Sequence, residues 1–217
     1  LPEMFNTAFC PNSKNLAENI NGKTIRWMKK IAKEKMCSIT GSIMVKDNLN
    51  IYNRLIWVEK NGSIYTYDKR HLFSLIKENK YLTKGEKRLI VELDGWKICP
   101  LICYDLRFPV FSRNDVGYDI LIYLANWPTK RVDAWNTLLK ARAIENQCYA
   151  IGVNRIGEDG NGVPFNGSSQ VFDAFGKKLA TAKNKQVVLE IVISKSNLNL
   201  KRRQMNFLKD RDSFILQ

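Results

Sequence analysis

The chain has 217 residues, 45% hydrophobic and 26% charged, which is enough apolar material for one sizeable core; a disordered chain is excluded and a single domain is expected. No apolar run approaches the roughly 20 residues a membrane helix needs, so a soluble protein with no membrane partner is expected. The formal net charge of +14 is spread along the chain apart from one cluster at Lys201-Arg202-Arg203, and no ribonucleoprotein or helix-turn-helix pattern accompanies it, so no nucleic-acid partner is expected.

The numbering opens on Leu1-Pro2-Glu3, without an initiator methionine and without the charged region and apolar core of an export signal. "LP" reads as the tail of a strand with Glu3 just past it. Residues 16–36 repeat apolar positions at Leu16, Ile20, Ile25, Met28, Ile31 and Ala32, a helical spacing that Asn21-Gly22 interrupts. "IYNRLIWVEK" and "SIYTYDK" then flank Asn61-Gly62, a pair suited to a type I′ hairpin turn because both residues tolerate positive φ. "RLIVEL" and "WKICPLIC" flank Asp94-Gly95 in the same way, and a third hairpin is expected near Phe175-Gly176. Between them, "YDILIYLAN" and "YAIGVN" read as strands buried on both faces. Residues 133–147 place Trp135, Leu138, Leu139 and Ala143 on one helical stripe, with Thr129 or Asp133 available as a cap. Strand pairs mixed with helices in this order predict an α/β protein whose sheets are covered by helices.

Five cysteines, Cys10, Cys37, Cys99, Cys103 and Cys148, are an odd number without C-x-x-C spacing. That argues against a disulfide framework or a zinc site and suits a reducing cytoplasm. The one histidine, His71, is the only partner a Cys-His pair could have.

Lys69 follows the second strand of the first hairpin and Cys103 the second strand of the next. Residues just past strand ends gather at one edge of a sheet, where α/β proteins place their sites. Glu3, Lys69 and Cys103 would there bring together a carboxylate, an ammonium and a thiol. A free thiol titrates near pH ~8.5 and needs activation. A lysine stabilises the thiolate and a carboxylate can accept its proton. The oxyanion formed on attack could be held by Lys69 and by the backbone N–H of Tyr104, one such donor being worth ~2.7–4 kcal/mol of barrier. The competing reading makes Cys103 core packing and the two charges solvated surface.

At these residues the sequence resembles the nitrilase superfamily of carbon–nitrogen hydrolases over nearly its whole length. "LPEMF" is similar to that family's glutamate motif, "YDKRHLF" to its lysine motif and "LICYDLRFP" to its cysteine motif, in family order; "ANWP" and "ARAIENQCYAIGVNR" match further segments. The resemblance implies an α-β-β-α sandwich and a cofactor-free, metal-free amide hydrolase in which Glu3 is the general base, Lys69 the oxyanion stabiliser and Cys103 the nucleophile. Glu78 falls where many members carry a second acidic residue, against the competing reading of a solvated loop charge. "PEMFNTAF", "YDKRHLF" and "ANWPTKRVDAWNTLLKARAIENQ" look most like the omega-amidase branch, which hydrolyses the terminal amide of small dicarboxylic acid monoamides such as 2-oxoglutaramate. Other family reactions, on N-carbamoyl amides or nitriles, and an inactive binding or assembly member are the alternatives. The resemblance further implies a homodimer.

Arg107 is a candidate for a substrate carboxylate, with an internal salt bridge to Asp105 or another acid, bracing the turn, as the preferred structural reading. Trp127 and Phe9 are candidate pocket walls or core. Arg142 and Glu145, three apart on a helix, are expected to pair, and His71 is expected to make a structural hydrogen bond. The family carries a strand and a helix before its glutamate motif. The expectation is therefore an upstream segment outside this numbering, or else a poorly folded and inactive protein, residues 1–217 being one hydrolase domain without those elements.

Overall fold

The computed structural model describes residues 1–216. Three antiparallel strands, β1 (Ile39–Asp47), β2 (Asn50–Val58) and β3 (Ile64–Asp68), form the first sheet in that order. Alternation along a strand sends successive side chains to opposite faces. Ile56 and Val58 therefore share a face with Ile43 and Val45, and that face packs against Ile25, Met28 and Ala32 of helix α1 (Lys23–Glu34). Leu55 and Trp57, of the other parity, join Tyr67 in the main core shared with the second sheet. Asn53 has this inward parity too, which aims a polar side chain between the sheets.

Helix α2 (Glu78–Tyr81) is a single turn between the sheets' sequence segments. The second sheet contains β4 (Val91–Leu93), β5 (Trp96–Ile102), β6 (Ile120–Ala125), β7 (Tyr149–Asn154), β9 (Pro164–Phe172) and β10 (Lys178–Lys183), with β8 (Ile156–Glu158) paired to β9. Its order is β10-β9-β7-β6-β5-β4; β5, β6 and β7 are parallel and the outer pairs antiparallel. Helix α3 (Val132–Glu145) covers it through Trp135, Leu139 and Ala143. Gly152 on β7 permits that packing, because a Cβ there would lie 2.4 Å from Leu139 and 2.6 Å from Trp135. Helix α4 (Lys195–Gln204) adds Leu198 to the core, and the Ser194 side chain accepts the Asn197 N–H as its cap. The layers run helix, sheet, sheet, helix: the expected α-β-β-α sandwich.

The structure departs from the sequence reading at several turns. Asp94 and Gly95 both take positive φ (47° and 79°), as a type I′ turn requires. At Asn61-Gly62 only Gly62 (φ 89°) does; β2 ends at Val58, Gly62 N–H donates to the Glu59 carbonyl, and the Asn61 side chain accepts the Ser63 N–H. The loop is thus longer than two residues. A fourth hairpin, β1–β2, turns at Asn48 (φ 54°) without any glycine to mark it. Neither Thr129 nor Asp133 caps α3: Thr129–Arg131 forms a 3-10 turn leading directly into the helix. The interruption at Asn21-Gly22 is where expected, Gly22 standing at the N-cap of α1.

Candidate active site

Four chain segments deliver polar side chains to one spot at the strand ends. Lys69 follows β3, Cys103 follows β5, Asn126 follows β6, and Glu3 is carried by the opening segment, whose Pro2 carbonyl accepts from Ser42 N–H of β1. Glu3, Lys69 and Glu78 are 1%, 1% and 0% exposed, so their charges must be compensated within the protein. Lys69 Nζ donates to Glu3 Oε1 at 2.9 Å and to Glu78 at 3.0 and 3.1 Å. Asn53 Nδ2 donates to Glu3 Oε1 (2.8 Å) and to Glu78 Oε1 (3.3 Å), tying the two carboxylates together from the inner face of β2. The other Glu3 oxygen accepts the Asn126 N–H at 3.0 Å, and the Asn126 side chain donates to the Glu3 carbonyl at 2.7 Å.

Glu78 is therefore no solvated loop charge. Lys77 in the left-handed region (φ 64°) turns the chain so that Glu78 enters the interior, where it also accepts the Phe73 N–H at 2.6 Å. Backbone on both sides holds Lys69: its N–H donates to the Asn53 carbonyl, and its carbonyl accepts from Gly85. Gly85 cannot carry a Cβ, which would stand 2.1 Å from the Asp68 carbonyl oxygen.

The electrostatics follow from burial and from two carboxylates around one ammonium. Burial alone would lower the Lys69 pKa, but Glu3 and Glu78 more than offset it, and Lys69 stays protonated. Burial raises the Glu78 pKa, Lys69 opposes that, and the Glu3 charge adds to it. The Cys103 thiol is held well above its ordinary range, first by burial and then by Glu3, against the pull of Lys69. At neutral pH it rests as a thiol.

Cys103 opens a 3-10 turn, Cys103–Arg107, with φ at 43°, a left-handed value that costs a non-glycine residue about 1–3 kcal/mol. Buried Asp105 enforces it. It accepts the Ile102 N–H at 3.0 Å and the Tyr67 hydroxyl at 2.7 Å through one oxygen, and pairs with the His71 N–H (3.1 Å) and Nδ1 (2.8 Å) through the other. His71 also stacks on Phe108 at 3.8 Å, so the lone histidine makes a structural bond, as expected. The expected Arg107–Asp105 salt bridge is not formed, because the Asp105 oxygens are occupied; the Arg107 guanidinium lies 4.9 Å over the Trp127 ring instead. Arg142 pairs with Glu145 at 2.8 Å and reaches the Leu106 carbonyl at 2.7 Å, bracing the end of the same turn.

These groups face a cavity of about 1030 Å³ whose lining includes Glu3, Phe9, Lys69, Cys103, Tyr104, Arg107 and Trp127. Phe9 places its ring 5.3 Å from Lys69 Nζ, and Trp127 is fixed by a backbone bond to Asn154 and an indole bond to the Arg131 carbonyl, both 2.7 Å. Every residue that the sequence suggests for catalysis or substrate binding thus lies on this cavity or, for Glu78, directly behind it. Sequence reasoning missed Asn53, Asn126, Gly85 and Arg131. The only available signal for Asn53 was a polar residue inside an apolar strand.

The arrangement can perform acyl transfer. An ammonium has three N–H donors; one serves Glu3 and one is shared by the Glu78 oxygens, leaving the third for an oxyanion. The Tyr104 N–H lies in the first turn of a 3-10 segment, where N–H groups lack intrahelical acceptors, and can supply a second donor.

Comparison with known proteins places this geometry in a family. The model of the carbon-nitrogen hydrolase family matches residues 1–202. The chain is 42% identical to the protein named Omega-amidase YafV of Yersinia enterocolitica, over all of this chain and 84% of that protein. It is 40% identical to the 2-oxoglutaramate amidase of Bacillus subtilis (strain 168), over 83% of this chain and 71% of the relative. The crystal structure of XC1258 from Xanthomonas campestris, a CN-hydrolase superfamily protein with an arsenic adduct in its active site, superposes with a TM-score of 0.98 at 40% identity, covering all of this chain and 85% of that one. A buried Glu–Lys–Glu cluster beside a strand-end cysteine, on an α-β-β-α sandwich matched over its length, makes this chain a member of the carbon-nitrogen hydrolase family.

Proposed function

We propose that the chain is an omega-amidase, hydrolysing the terminal amide of small dicarboxylic acid monoamides to the acid and ammonia through a thioester on Cys103. The observation that carries the mechanism is Lys69 clamped between Glu3 and Glu78 at the mouth of the Cys103 turn. The substrate class draws its support from the 40–42% identity to relatives named as omega-amidase and 2-oxoglutaramate amidase.

The resting thiol is neutral, so the proton must move as the bond forms. Glu3 takes the Sγ proton while sulfur attacks the amide carbon, and the developing oxyanion is met by Lys69 and the Tyr104 N–H. When the C–N bond breaks, protonated Glu3 gives its proton to the leaving nitrogen and ammonia departs. Glu3 then takes a proton from water as water attacks the thioester; the C–S bond breaks and the thiolate recovers that proton. Glu78 touches no reacting atom in this scheme and acts by fixing Lys69.

Self-association as a homodimer and a cytoplasmic setting complete the reading. The first is supported by the resemblance to a family whose members usually dimerise and the second by five free thiols. Sedimentation velocity checks the first.

The test is mass spectrometry of the protein mixed briefly with a dicarboxylic monoamide while ammonia release is followed. Cys103→Ala is expected to abolish ammonia release without changing the far-ultraviolet circular dichroism, since the substitution removes one atom at the cavity wall. Normal turnover by the folded Cys103→Ala protein would refute the mechanism.

A further inference from the structure

Outside the Glu3–Lys69–Glu78 cluster, the cavity lining carries four cations, Lys77, Arg107, Lys130 and Arg131, and one carboxylate, Asp159. Asp159 Oδ1 is engaged by the Asn161 and Val163 N–H groups. Among the described residues, neither the Arg107 nor the Arg131 guanidinium has a carboxylate partner. Each is held by an aromatic face: Arg107 lies 4.9 Å over Trp127, and Arg131 lies 5.2 Å over Phe73.

The two are also coupled to each other. The Trp127 indole N–H donates to the Arg131 carbonyl at 2.7 Å, so the ring that carries Arg107 also fixes the backbone of Arg131. Arg131 closes the 3-10 turn that leads into α3, which restricts it further. Its pKa is lowered first by burial and also by the Arg107 charge, so the two guanidiniums repel each other; an ionised Cys103 would oppose this. Two like charges held over aromatic rings on the lining of one cavity are stabilised by an anion that reaches both, and planar guanidinium forks match a carboxylate.

We infer that Arg107 and Arg131, joined through Trp127, form a clamp for the distal carboxylate of the substrate and select ω-amides of dicarboxylic acids over neutral amides. Arg131 is the new assignment, and both residues set specificity without entering the bond-breaking step. In a five-carbon monoamide the carboxyl and amide carbons are about 5 Å apart when extended, so the clamp measures chain length as well as charge. Phe9, Phe73 and Trp127 offer apolar surface to the intervening methylenes.

This inference rests on the amidase reading, and the experiment separates the two. Glutarate, which has the carboxylate but no scissile amide, is titrated calorimetrically into the wild type, Arg131→Gln and Arg107→Gln. In parallel, kcat/KM is measured for glutaramate and for the neutral pentanamide. Each substitution is expected to weaken glutarate binding about 10- to 100-fold, the range for one charge-assisted hydrogen-bonded contact. Each is expected to lower kcat/KM for glutaramate similarly, with pentanamide changed less than about threefold. Arg131→Lys, keeping charge but not the fork, is expected to fall between.

Arg107 is exposed and, among the described residues, has no carboxylate partner, so its variant keeps the test alive if Arg131→Gln fails to fold. Glutarate binding within about twofold of wild type in both variants, or turnover of glutaramate and pentanamide by the wild type with equal kcat/KM, overturns the clamp. Loss of glutarate binding in the variants, with no ammonia from either amide in the wild type, upholds the clamp and defeats the amidase reading.

Discussion

Replacing Glu78 by glutamine separates its two effects, on Lys69 and on stability. The carboxylate meets Lys69 Nζ at 3.0 and 3.1 Å, the Phe73 N–H at 2.6 Å and Asn53 Nδ2 at 3.3 Å. Glutamine keeps the volume but has one acceptor oxygen: in the place of Oε2, which serves both Phe73 and Lys69, it turns its NH2 on Lys69 and Asn53, and in the place of Oε1 it leaves the Phe73 N–H unpaired, so Lys69 loses one of its two contacts either way. A lost hydrogen bond to a charged group is worth about 1.5–3 kcal/mol. If that loss falls on Lys69 in the transition state, kcat drops between about 10- and 150-fold.

Stability moves differently, and its sign depends on pH. Burial and the Glu3 charge raise the folded pKa of Glu78 above its ordinary 4.5. The stability contributed by neutral Glu78 is complete below about 4.5 and is lost as pH rises through the raised folded value. The amide that replaces the carboxyl cannot ionise and escapes that loss. The melting temperature of Glu78→Gln, relative to wild type, should therefore rise as pH climbs above about 4.5, whatever constant offset the missing hydrogen bond adds. Scanning calorimetry across that range, with ammonia release at each pH, gives both readouts. A relative melting temperature that is flat or falls with pH would refute the electrostatic argument, and kcat within about threefold of wild type would refute the positioning of Lys69.

The other predictions concern the turn and the base. Asp105→Asn leaves at least one of the Ile102, Tyr67 and His71 donors unsatisfied in the interior; at about 1–3 kcal/mol for the lost bond, a fall in melting temperature of about 2–12 °C is expected for a chain of this size, together with loss of turnover. A variant melting like wild type would mean that the left-handed Cys103 does not depend on Asp105. Glu3→Gln removes the proton acceptor and is expected to slow ammonia release by about 10²–10⁴ at neutral pH. It also removes a charge that holds the thiol up while Lys69 remains to pull it down, so the variant's rate should climb with pH, and a flat pH profile would contradict the assigned proton transfer.

The site was legible in the sequence to different depths. Lys69 and Cys103 could be placed at strand ends because Asp94-Gly95 marks one hairpin and Asn61-Gly62 the other, even though the second loop proved longer than two residues. Glu78 could not be told from a surface charge. Its burial depends on the left-handed Lys77 and on Lys69, nine residues earlier in the chain. Asn53 was hidden for a related reason: a strand's parity says that residues 53, 55 and 57 share a face, but only the second sheet shows which face is interior. Arg107 was expected to pair with Asp105 or another acid, but the Asp105 oxygens are taken by Tyr67 and His71, more than thirty residues upstream. The β1–β2 hairpin went unread because Asn48 takes positive φ with no glycine beside it.

The distribution of the site over both sheets has a consequence for how the molecule fails. Asn53 and Lys69 ride on the first sheet, Cys103 and Asn126 on the second, and the contacts that join them are between about 2.7 and 3.3 Å long. Catalytic competence is thus a vernier on the docking of the two sheets, sensitive to displacements too small to disturb either sheet's own hydrogen-bond ladder. A substitution at the seam, such as Leu55→Ala beneath Asn53, loosens the alignment without touching a reacting group. In rising denaturant, turnover should vanish while the circular dichroism of the strands is still native.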